Sequence, residues 1–303
     1  MNKEIFDSLR QIVPEENILK DELMSRHTTF RTGGPASLFI RPKTRQQLVE
    51  IMKLIKSRNT EYFVLGNGSN LLVSDEGFDG IVISLNEFND IHLESKNEIY
   101  AESGVMNSQI AAFARDHSLK NFEFAAGIPG TIGGAMIMNA GAYGGEMKMI
   151  TKSVTVLSPE GEIVTFDNES MEFGYRTSAI KGKGYIVLSV LLSLQEGDKA
   201  EITENMQSLA LKRKEKQPLE YPSAGSTFKR PEGYFAGKLI EDAGLRGFSV
   251  GDAAVSEKHC GFVINKGNAT SAQIYELINE VKEKVYNNSG VTLEPEVIML
   301  GKF

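Results

Sequence analysis

Three short segments place reactive side-chain types where they could do chemistry. Arg176 lies in FGYRTSAI, Ser226 in YPSAGSTFKRP and Glu296 in LEPEV. A guanidinium fits carboxylates and phosphates through paired hydrogen bonds, while hydroxyl and carboxyl groups can donate or share a proton. Each segment also has an ordinary alternative, because a single arginine usually forms a surface salt bridge and strand carboxylates are usually solvated.

The serine segment does not match the nucleophile elbow of serine hydrolases. That motif, GxSxG, needs glycine on both sides of the serine, but Ala224 and Phe228 occupy those positions around Ser226. None of the four histidines has an evident relation to a serine, so a Ser–His–Asp hydrolase is poorly supported. Two basic residues, Lys229 and Arg230, follow the serine closely.

Two carboxylates near the C-terminus are candidates for a catalytic role. Glu294 and Glu296 are two apart in the predicted strand GVTLEPEVIML, so they would share one face of that strand, subject to a kink at Pro295. For Glu294 we keep the interpretation of a solvated edge-strand carboxylate.

Two glycine-rich clusters suggest a ligand held against backbone. GNGSN (66–70) follows a strand pattern, and GIPGTIGGAMIMNAGAYGGEM spans 127–147. The first is not a Rossmann fingerprint, because the third glycine position is Leu71. Taken by itself, the first cluster would be interpreted as a tight turn. The presence of two clusters favours a diphosphate that lies between them and accepts hydrogen bonds from backbone N–H groups. Asn139 and Tyr143 could then supply hydrogen bonds, or an aromatic wall, to a flat ring of the ligand.

Alternating helical and strand patterns must position these residues. Apolar spacing predicts helices over 44–59, 108–119, 200–218 and 270–290, the last opened by a capping box at Thr270 and Gln273. Strands are predicted over 61–66, 80–85, 184–195 and 290–300, and a hairpin over 153–166.

Composition limits the protein class. The chain has 303 residues, 41% of them hydrophobic, and this length predicts two domains. The net charge of −7 argues against a nucleic-acid partner. Its single cysteine, Cys260, excludes an intramolecular disulfide and a cysteine-based zinc site. We expect no metal. Neither a signal peptide nor an apolar run of membrane-span length is present, so we expect a cytoplasmic monomer with no membrane partner.

Seven segments in order resemble one enzyme family. They are TTFRTGGPA, VLGNGSNLLVSDEGFDGIVI, GIPGTIGGAMIMNAGAYGGEM, FGYRTS, AGSTFKRP, AGKLIEDAGLRGFSVGDAAVSEKHCGFVIN and LEPEV. The family is that of the UDP-N-acetylenolpyruvoylglucosamine reductases of bacterial cell-wall synthesis. Any one segment is a weak signal, but the ordered set covers the chain from about residue 27 to its end. The short path after FGYRTS resembles the family's second type, which lacks an extra loop insert.

The resemblance implies an α+β fold in two parts. An FAD-binding domain of the vanillyl-alcohol-oxidase type would occupy residues 1–196, its first part a small α/β subdomain, and a smaller α+β substrate-binding domain residues 197–303. It also implies non-covalent FAD, NADPH as hydride donor, and the enolpyruvyl ether of a UDP-sugar as substrate.

The resemblance further assigns site residues. The catalytic set falls on Arg176, Ser226 and Glu296. Among the expected substrate contacts, the resemblance supplies Lys216, and the positions of Tyr175, Lys229 and Arg230 in the arginine and serine segments supply the others. Cofactor contacts fall on Gly66, Asn67, Gly68, Ser69, Asn70, Gly127, Gly130, Thr131, Gly133, Gly134, Asn139 and Gly141.

Two other classes of protein stay open at this stage. One is a flavin oxidase or dehydrogenase acting on a hydroxy acid, often with covalently tethered FAD, although neither His27 nor Cys260 has a clear tethering context. The other is a nucleotide-binding module without catalysis, which would need the glycine clusters but not the catalytic set.

Overall fold

The computed structural model describes residues 3–303. Seven α-helices occur in this range: α1 (Lys3–Leu9), α2 (Arg45–Ser57), α3 (Asn107–Asp116), α4 (Ile132–Ile137), α5 (Lys199–Lys216), α6 (Ala236–Asp242) and α7 (Ser271–Ser289). Short 3-10 helices lie at Glu15–Asn17, Met24–Arg26, Glu123–Ala125 and Met147–Met149.

The strands are short and numerous. They are β1 (Ile18–Leu23), β2 (Pro35–Ile40), β3 (Tyr62–Leu65), β4 (Leu71–Val73), β5 (Phe78–Ser84), β6 (Ile91–Ser95), β7 (Glu98–Glu102), β8 (Leu119–Lys120), β9 (Gly141–Ala142), β10 (Gly145–Glu146), β11 (Thr151–Leu157), β12 (Ile163–Asp167), β13 (Ile186–Ser193), β14 (Gln195–Glu196), β15 (Ser223–Ser226), β16 (Ser249–Val250), β17 (Ala253–Val255), β18 (Phe262–Asn265) and β19 (Ile298–Leu300).

The long helices confirm the sequence patterns. In α2 the side chain of Thr44 accepts a hydrogen bond from the Gln47 N–H, and the predicted apolar stripe is buried. In α7 the predicted capping box forms between Thr270 and Gln273. That helix ends at Gly290, which has φ = 72°, the left-handed conformation that favours glycine after a helix.

The first compact unit comprises the residues through Leu19, Phe39–Asn67 and Val82–Arg213. Its centre is a five-stranded sheet in the order β12-β11-β13-β7-β6, in which every neighbouring pair is antiparallel. The predicted hairpin forms between β11 and β12. The central strand β13 is buried along most of its length, and α4 packs against it. This packing fixes the glycine-rich segment that begins α4.

The second compact unit comprises Lys20–Leu38, Gly68–Ile81 and Lys214–Phe303. Its antiparallel sheet has the order β15-β18-β17-β16, and α7 packs against three of those strands. Phe30 and Leu72 belong to the core of this unit. The Asp75 carboxylate accepts hydrogen bonds of 2.8 Å from the N–H groups of Ser271 and Ala272, at the start of α7.

The contact-defined boundary lies after Arg213, whereas the sequence placed a domain boundary at 196/197. The difference arises from α5, because Ile202 is buried and Met206 packs against the core of the first unit. The two early segments that belong to the second unit also make it discontinuous. A further sheet has the strand order β1-β2-β5-β3, and the unit boundaries fall inside β1, β2 and β5.

The strand predicted over 290–300 is mostly absent. Only β19 forms, and it pairs with β4 in parallel. Pro295 has no N–H to donate, and it makes only an isolated bridge to Phe228. The prediction that Glu294 and Glu296 share a strand face is therefore wrong. Within residues 3–303, no helix combines the length and apolar character needed to cross a membrane.

Candidate active site

Arg176 lies in a tight turn that starts at Gly174 and ends at Thr177. The backbone groups of these two residues bond to each other, at N···O distances of 3.1 and 3.3 Å. Arg176 has φ = 54°, a left-handed conformation that costs a non-glycine residue about 1–2 kcal/mol. Its guanidinium carbon lies 5.3 Å from the centre of the exposed Tyr175 ring. Strained backbone of this kind clusters at functional sites.

Asn139 holds the base of the Arg176 turn. Its side-chain amide donates to the Glu146 carboxylate and to the Gly174 carbonyl, both at 3.1 Å, and its amide oxygen accepts from the Lys148 N–H at 2.9 Å. The residue is buried. Both amide hydrogens are thus bonded within the chain, and the predicted contact of Asn139 with the cofactor stays a prediction.

Ser226 is the exposed last residue of β15. It lies opposite Phe262 on β18, while Ser223 lies opposite Ile264, so β15 contains one residue more than its partner over this stretch. The extra residue is accommodated where Gly225 has φ = 75°. Such bulges redirect side chains and are frequent next to active sites. The bulge gives a structural reason for the glycine in AGS.

Glu296 follows a segment that runs antiparallel to the residues just after Ser226. The Glu296 N–H donates to the Thr227 carbonyl at 2.8 Å. The Asn70 side-chain amide donates to the Glu296 carbonyl at 3.0 Å. Ser226 and Glu296 are therefore brought to neighbouring segments of the second unit. Asn70, predicted to bind cofactor, is also a support of the Glu296 backbone.

Glu294 differs from Glu296 in its environment. Its carboxylate is exposed and bonds to the Lys229 ammonium at 2.9 Å. This hydrogen bond lowers the pKa of the Glu294 carboxyl. The pair is a solvated surface interaction, as the sequence indicated for Glu294, and it occupies the Lys229 ammonium that was assigned to substrate.

The other predicted substrate residues lie at exposed positions. Tyr175 belongs to the first unit, and Lys216 is at the exposed end of α5. The Arg230 guanidinium carbon lies 4.0 Å from the centre of the Phe235 ring, and its Nε donates to the Tyr234 carbonyl at 3.3 Å. The structure thus keeps Arg176 and Tyr175 in the first unit and Ser226 and Glu296 in the second.

Most of the predicted cofactor glycines are required by the packing of the chain on itself. A Cβ closer than 3.0 Å to another heavy atom is essentially never seen. Such contacts would form with Thr131 Oγ1 for Gly66 (2.6 Å), with Ser103 Cβ for Gly133 (2.8 Å) and with the Gly145 carbonyl oxygen for Gly141 (2.6 Å). In the second unit Gly68 has φ = 60° and packs against the His27 carbonyl. The packing of the chain on itself is therefore a sufficient reason for glycine at these four positions, and their contact with the cofactor stays a prediction.

Gly134 is the exception among these glycines. It is exposed, and a Cβ built on it would meet no atom closer than Thr131 Oγ1, at 3.9 Å. Within the described part of the chain its N–H donates no hydrogen bond. An open N–H without a side chain is what close approach of a phosphate or a ring carbonyl requires. This position fits FAD, and the chain itself gives no packing reason for a glycine there.

The remaining predicted cofactor residues are partly covered. Thr131 and Gly130 are buried, Gly130 with φ = 124°, whereas Asn67 and Ser69 are half-buried and Gly127 is exposed. Burial raises the pKa of the Cys260 thiol, which disfavours the thiolate needed for a covalent flavin link. Among residues 3–303 no three His, Cys, Asp or Glu side chains gather as a metal site would need.

Comparison with known proteins gives matches over the whole length. The family model described as UDP-N-acetylenolpyruvoylglucosamine reductase, C-terminal domain, matches residues 217–300, and a model of an FAD binding domain matches residues 36–167. The UDP-N-acetylenolpyruvoylglucosamine reductase of Clostridioides difficile (strain 630) is 51% identical over 302 residues, which cover 99% of both chains.

Solved structures agree with this result. The crystal structure of UDP-N-acetylenolpyruvylglucosamine reductase from Thermus caldophilus is similar with a TM-score of 0.81 and 36% identity, over 93% of this chain and 98% of that chain. A Phl p 4 variant described as a glucose oxidase is similar in fold alone, with a TM-score of 0.51 and 15% identity, over 65% of this chain and 45% of that chain. The predicted α+β fold with an FAD-binding domain is confirmed.

Proposed function

The chain belongs to the UDP-N-acetylenolpyruvoylglucosamine reductase family, and from that membership we propose how its residues divide the work of the reaction. The protein is an FAD-dependent oxidoreductase. It reduces UDP-N-acetylglucosamine enolpyruvate to UDP-N-acetylmuramate with NADPH, a step in peptidoglycan precursor synthesis. The exposed backbone at Gly134 would contact FAD, and the bound flavin would supply the chemistry for transfer of a hydride from NADPH to C3 of the enolpyruvyl group.

Arg176 stabilises the negative charge that develops on the enolpyruvyl carboxylate. A guanidinium offers a planar pair of donors that matches a carboxylate, and it keeps its charge at any working pH. Donors fixed before the reaction cost no reorganisation when charge develops. The strained turn and the Asn139 hydrogen bonds support such a fixed position.

Ser226 donates a proton to C2 of the reduced substrate. Its exposed position at a strand bulge supports this role. A serine is a weak acid, so the alkoxide left behind needs a nearby cation or a water that returns the proton. Lys229 is already paired with Glu294, which leaves Lys216 or a water as the proposed source.

Glu296 shares a proton or a hydrogen bond with the forming enol. A carboxyl group helps here in its protonated form, because it can then donate a hydrogen bond or a proton. The observation that carries the whole proposal is the backbone pairing of Thr227 with Glu296, because it brings the serine and glutamate segments together.

Spectroscopy of the purified protein tests the function. We expect flavin absorption bands, bleaching by NADPH, and recovery of colour on addition of the enolpyruvyl UDP-sugar. Denaturation should release free FAD. A colourless protein that binds a nucleotide would favour a binding module. Recovery of colour with a keto acid, the oxidised form of a hydroxy acid, in place of the UDP-sugar would favour a different oxidoreductase.

Gly134→Val should give a folded but colourless or weakly coloured protein. The valine side chain would not clash with other atoms of the protein. It would instead occupy the space in which FAD is proposed to contact the exposed backbone. Bound FAD per protein and the apoprotein melting temperature measure the two effects separately. Gly133→Ala is the matched control, because its Cβ would clash with Ser103 and should lower the melting temperature. Full FAD loading of folded Gly134→Val would argue against backbone contact.

Asn139→Ala should slow flavin reoxidation by substrate by about tenfold or more while flavin reduction by NADPH changes little. The substitution removes the support of the Gly174 carbonyl and costs about 1–3 kcal/mol of unfolding free energy. Asn168→Ala is the control, since that side-chain amide likewise makes two hydrogen bonds, to the carbonyls of Lys148 and Thr151, but does not contact the turn. Equal effects of both substitutions on reoxidation would contradict the positioning role.

We also propose a cytoplasmic monomer that serves cell-wall growth, and hence cell shape and division. The acidic net charge and the lack of a predicted exposed heptad pattern support this proposal. Light scattering after size exclusion would measure the oligomeric state, and a dimer mass would contradict it.

A further inference from the structure

The segment that follows Arg176 is anchored in the core of the first compact unit. Ile180 is buried in that core. Ser178 is also buried, and its hydroxyl donates a hydrogen bond of 2.9 Å to the Ile137 carbonyl, at the end of α4. These contacts fix the backbone from which the side chain of Lys181 extends, five residues after the arginine.

The Lys181 side chain returns to the Arg176 turn. Its ammonium donates a hydrogen bond of 2.7 Å to the Arg176 carbonyl, and the lysine is half-buried. Lysine side chains near the surface usually extend the charged group into water. Here the ammonium instead bonds to backbone, through a hydrogen bond with a charged donor, a kind that is about twice as strong as a neutral one. The bond ties the lysine specifically to this turn.

The lysine acts on a residue whose backbone is strained. Arg176 has φ = 54°, and a hydrogen bond to a charged group contributes free energy comparable to the cost of one left-handed residue. Asn139 holds the turn at its base, through the Gly174 carbonyl. Lys181 holds the peptide group between Arg176 and Thr177. Because the turn is held on both sides of the arginine, the direction of its Cα–Cβ bond is fixed.

We propose that Lys181 is a positioning residue for the reduction of the enolpyruvyl group and that it acts through Arg176. This role rests on the proposed function of Arg176, which is to stabilise the charge that develops on the substrate carboxylate. A donor contributes most when it is already in place before the charge develops, and a misplacement of about 1 Å can slow a reaction about 100-fold. Lys181 keeps the strained turn, and with it the guanidinium, in one place.

Stopped-flow absorbance of the FAD-loaded protein tests this role. In Lys181→Met, flavin reoxidation at saturating enolpyruvyl UDP-sugar should slow on the order of 10- to 100-fold, while flavin reduction by NADPH stays near the wild-type rate. Lys181→Arg should recover most of the loss, because a guanidinium can donate to the same carbonyl. Lys183→Met is the matched control and should leave both rates unchanged. That lysine is exposed, and its ammonium makes no hydrogen bond or ion pair within residues 3–303.

The Arg176→Met background separates positioning from a general effect on stability. There the added Lys181→Met should change reoxidation by less than about twofold, because the lysine has no guanidinium left to position, whereas independent losses would multiply. If Lys181→Met does not fold, Lys181→Gln replaces it in both backgrounds.

Three results would overturn the role of Lys181: rates equal to those of Lys183→Met, equal slowing of both half-reactions, or losses that multiply in the Arg176→Met background. Reoxidation at the wild-type rate in Arg176→Met itself would contradict the proposed function of the arginine, and with it the role of the lysine. A slow Arg176→Met beside an unaffected Lys181→Met would overturn the lysine alone, so the two failures are distinguishable.

Discussion

Ser226→Ala should leave flavin reduction by NADPH near the wild-type rate and slow reoxidation by the enolpyruvyl UDP-sugar by about two to four orders of magnitude. That is the usual loss when a general acid is removed. The hydroxyl is exposed at the end of β15, so its removal should leave the fold intact. Stopped-flow absorbance of the flavin, recorded separately for each half-reaction, gives the two rates.

Two further variants sharpen the serine test. Ser226→Cys should retain more reoxidation activity than Ser226→Ala, because a thiol can donate a proton. Ser223→Ala removes a hydroxyl from the same strand, three residues earlier and half-buried, and should leave both half-reactions unchanged. Slowed flavin reduction in Ser226→Ala, or intact turnover of substrate, would show that the serine has another role.

Glu296→Ala should slow reoxidation by roughly two to four orders of magnitude, the range for a general acid or an oxyanion donor. Glu296→Gln should lose less, because the amide keeps the shape and the hydrogen-bonding capacity but cannot donate or accept the proton. Reduction by NADPH should barely change in either variant, since the carboxyl group is needed only once the enolpyruvyl group is bound. The same stopped-flow measurement applies.

Glu294→Ala is the matched control for Glu296. Its carboxylate lies two residues away but is exposed and paired with Lys229, which lowers its pKa and keeps it ionised. Both half-reactions should stay close to wild type. Equal losses at the two glutamates, or a loss confined to the NADPH half-reaction, would contradict the assignment of Glu296.

Local structure could be predicted well wherever it depended on neighbours in sequence. The apolar stripe and Thr44 cap of α2, and the Thr270 capping box and Gly290 end of α7, all follow from spacing and cap chemistry. The last strand was predicted too long, because its apolar pattern continues through Pro295 while the hydrogen-bond ladder does not.

The sequence motifs that form the candidate site could be recognised, but the contacts that their residues make in the folded protein could not be predicted. The sequence cannot tell that Gly133 faces Ser103 while Gly134 faces open space, because those neighbours come from distant parts of the chain. For the same reason, the sequence does not reveal that the amide of Asn139 supports the Arg176 turn.

The discontinuous second unit has a consequence for the order of events during protein synthesis. Phe30, Leu72 and Asp75 leave the ribosome before residues 82–213, yet their core partners and the helix that Asp75 caps are made afterwards. At about 5–20 residues per second, this interval lasts on the order of ten seconds. During that time the two early segments can contact each other, as in the hydrogen bond from the Gly34 N–H to the Ser74 carbonyl, but they lack the C-terminal part of their core. Nascent chains should therefore pass through a stage in which chaperones or proteases can reach them, and the C-terminal lobe expressed alone would lack part of its core.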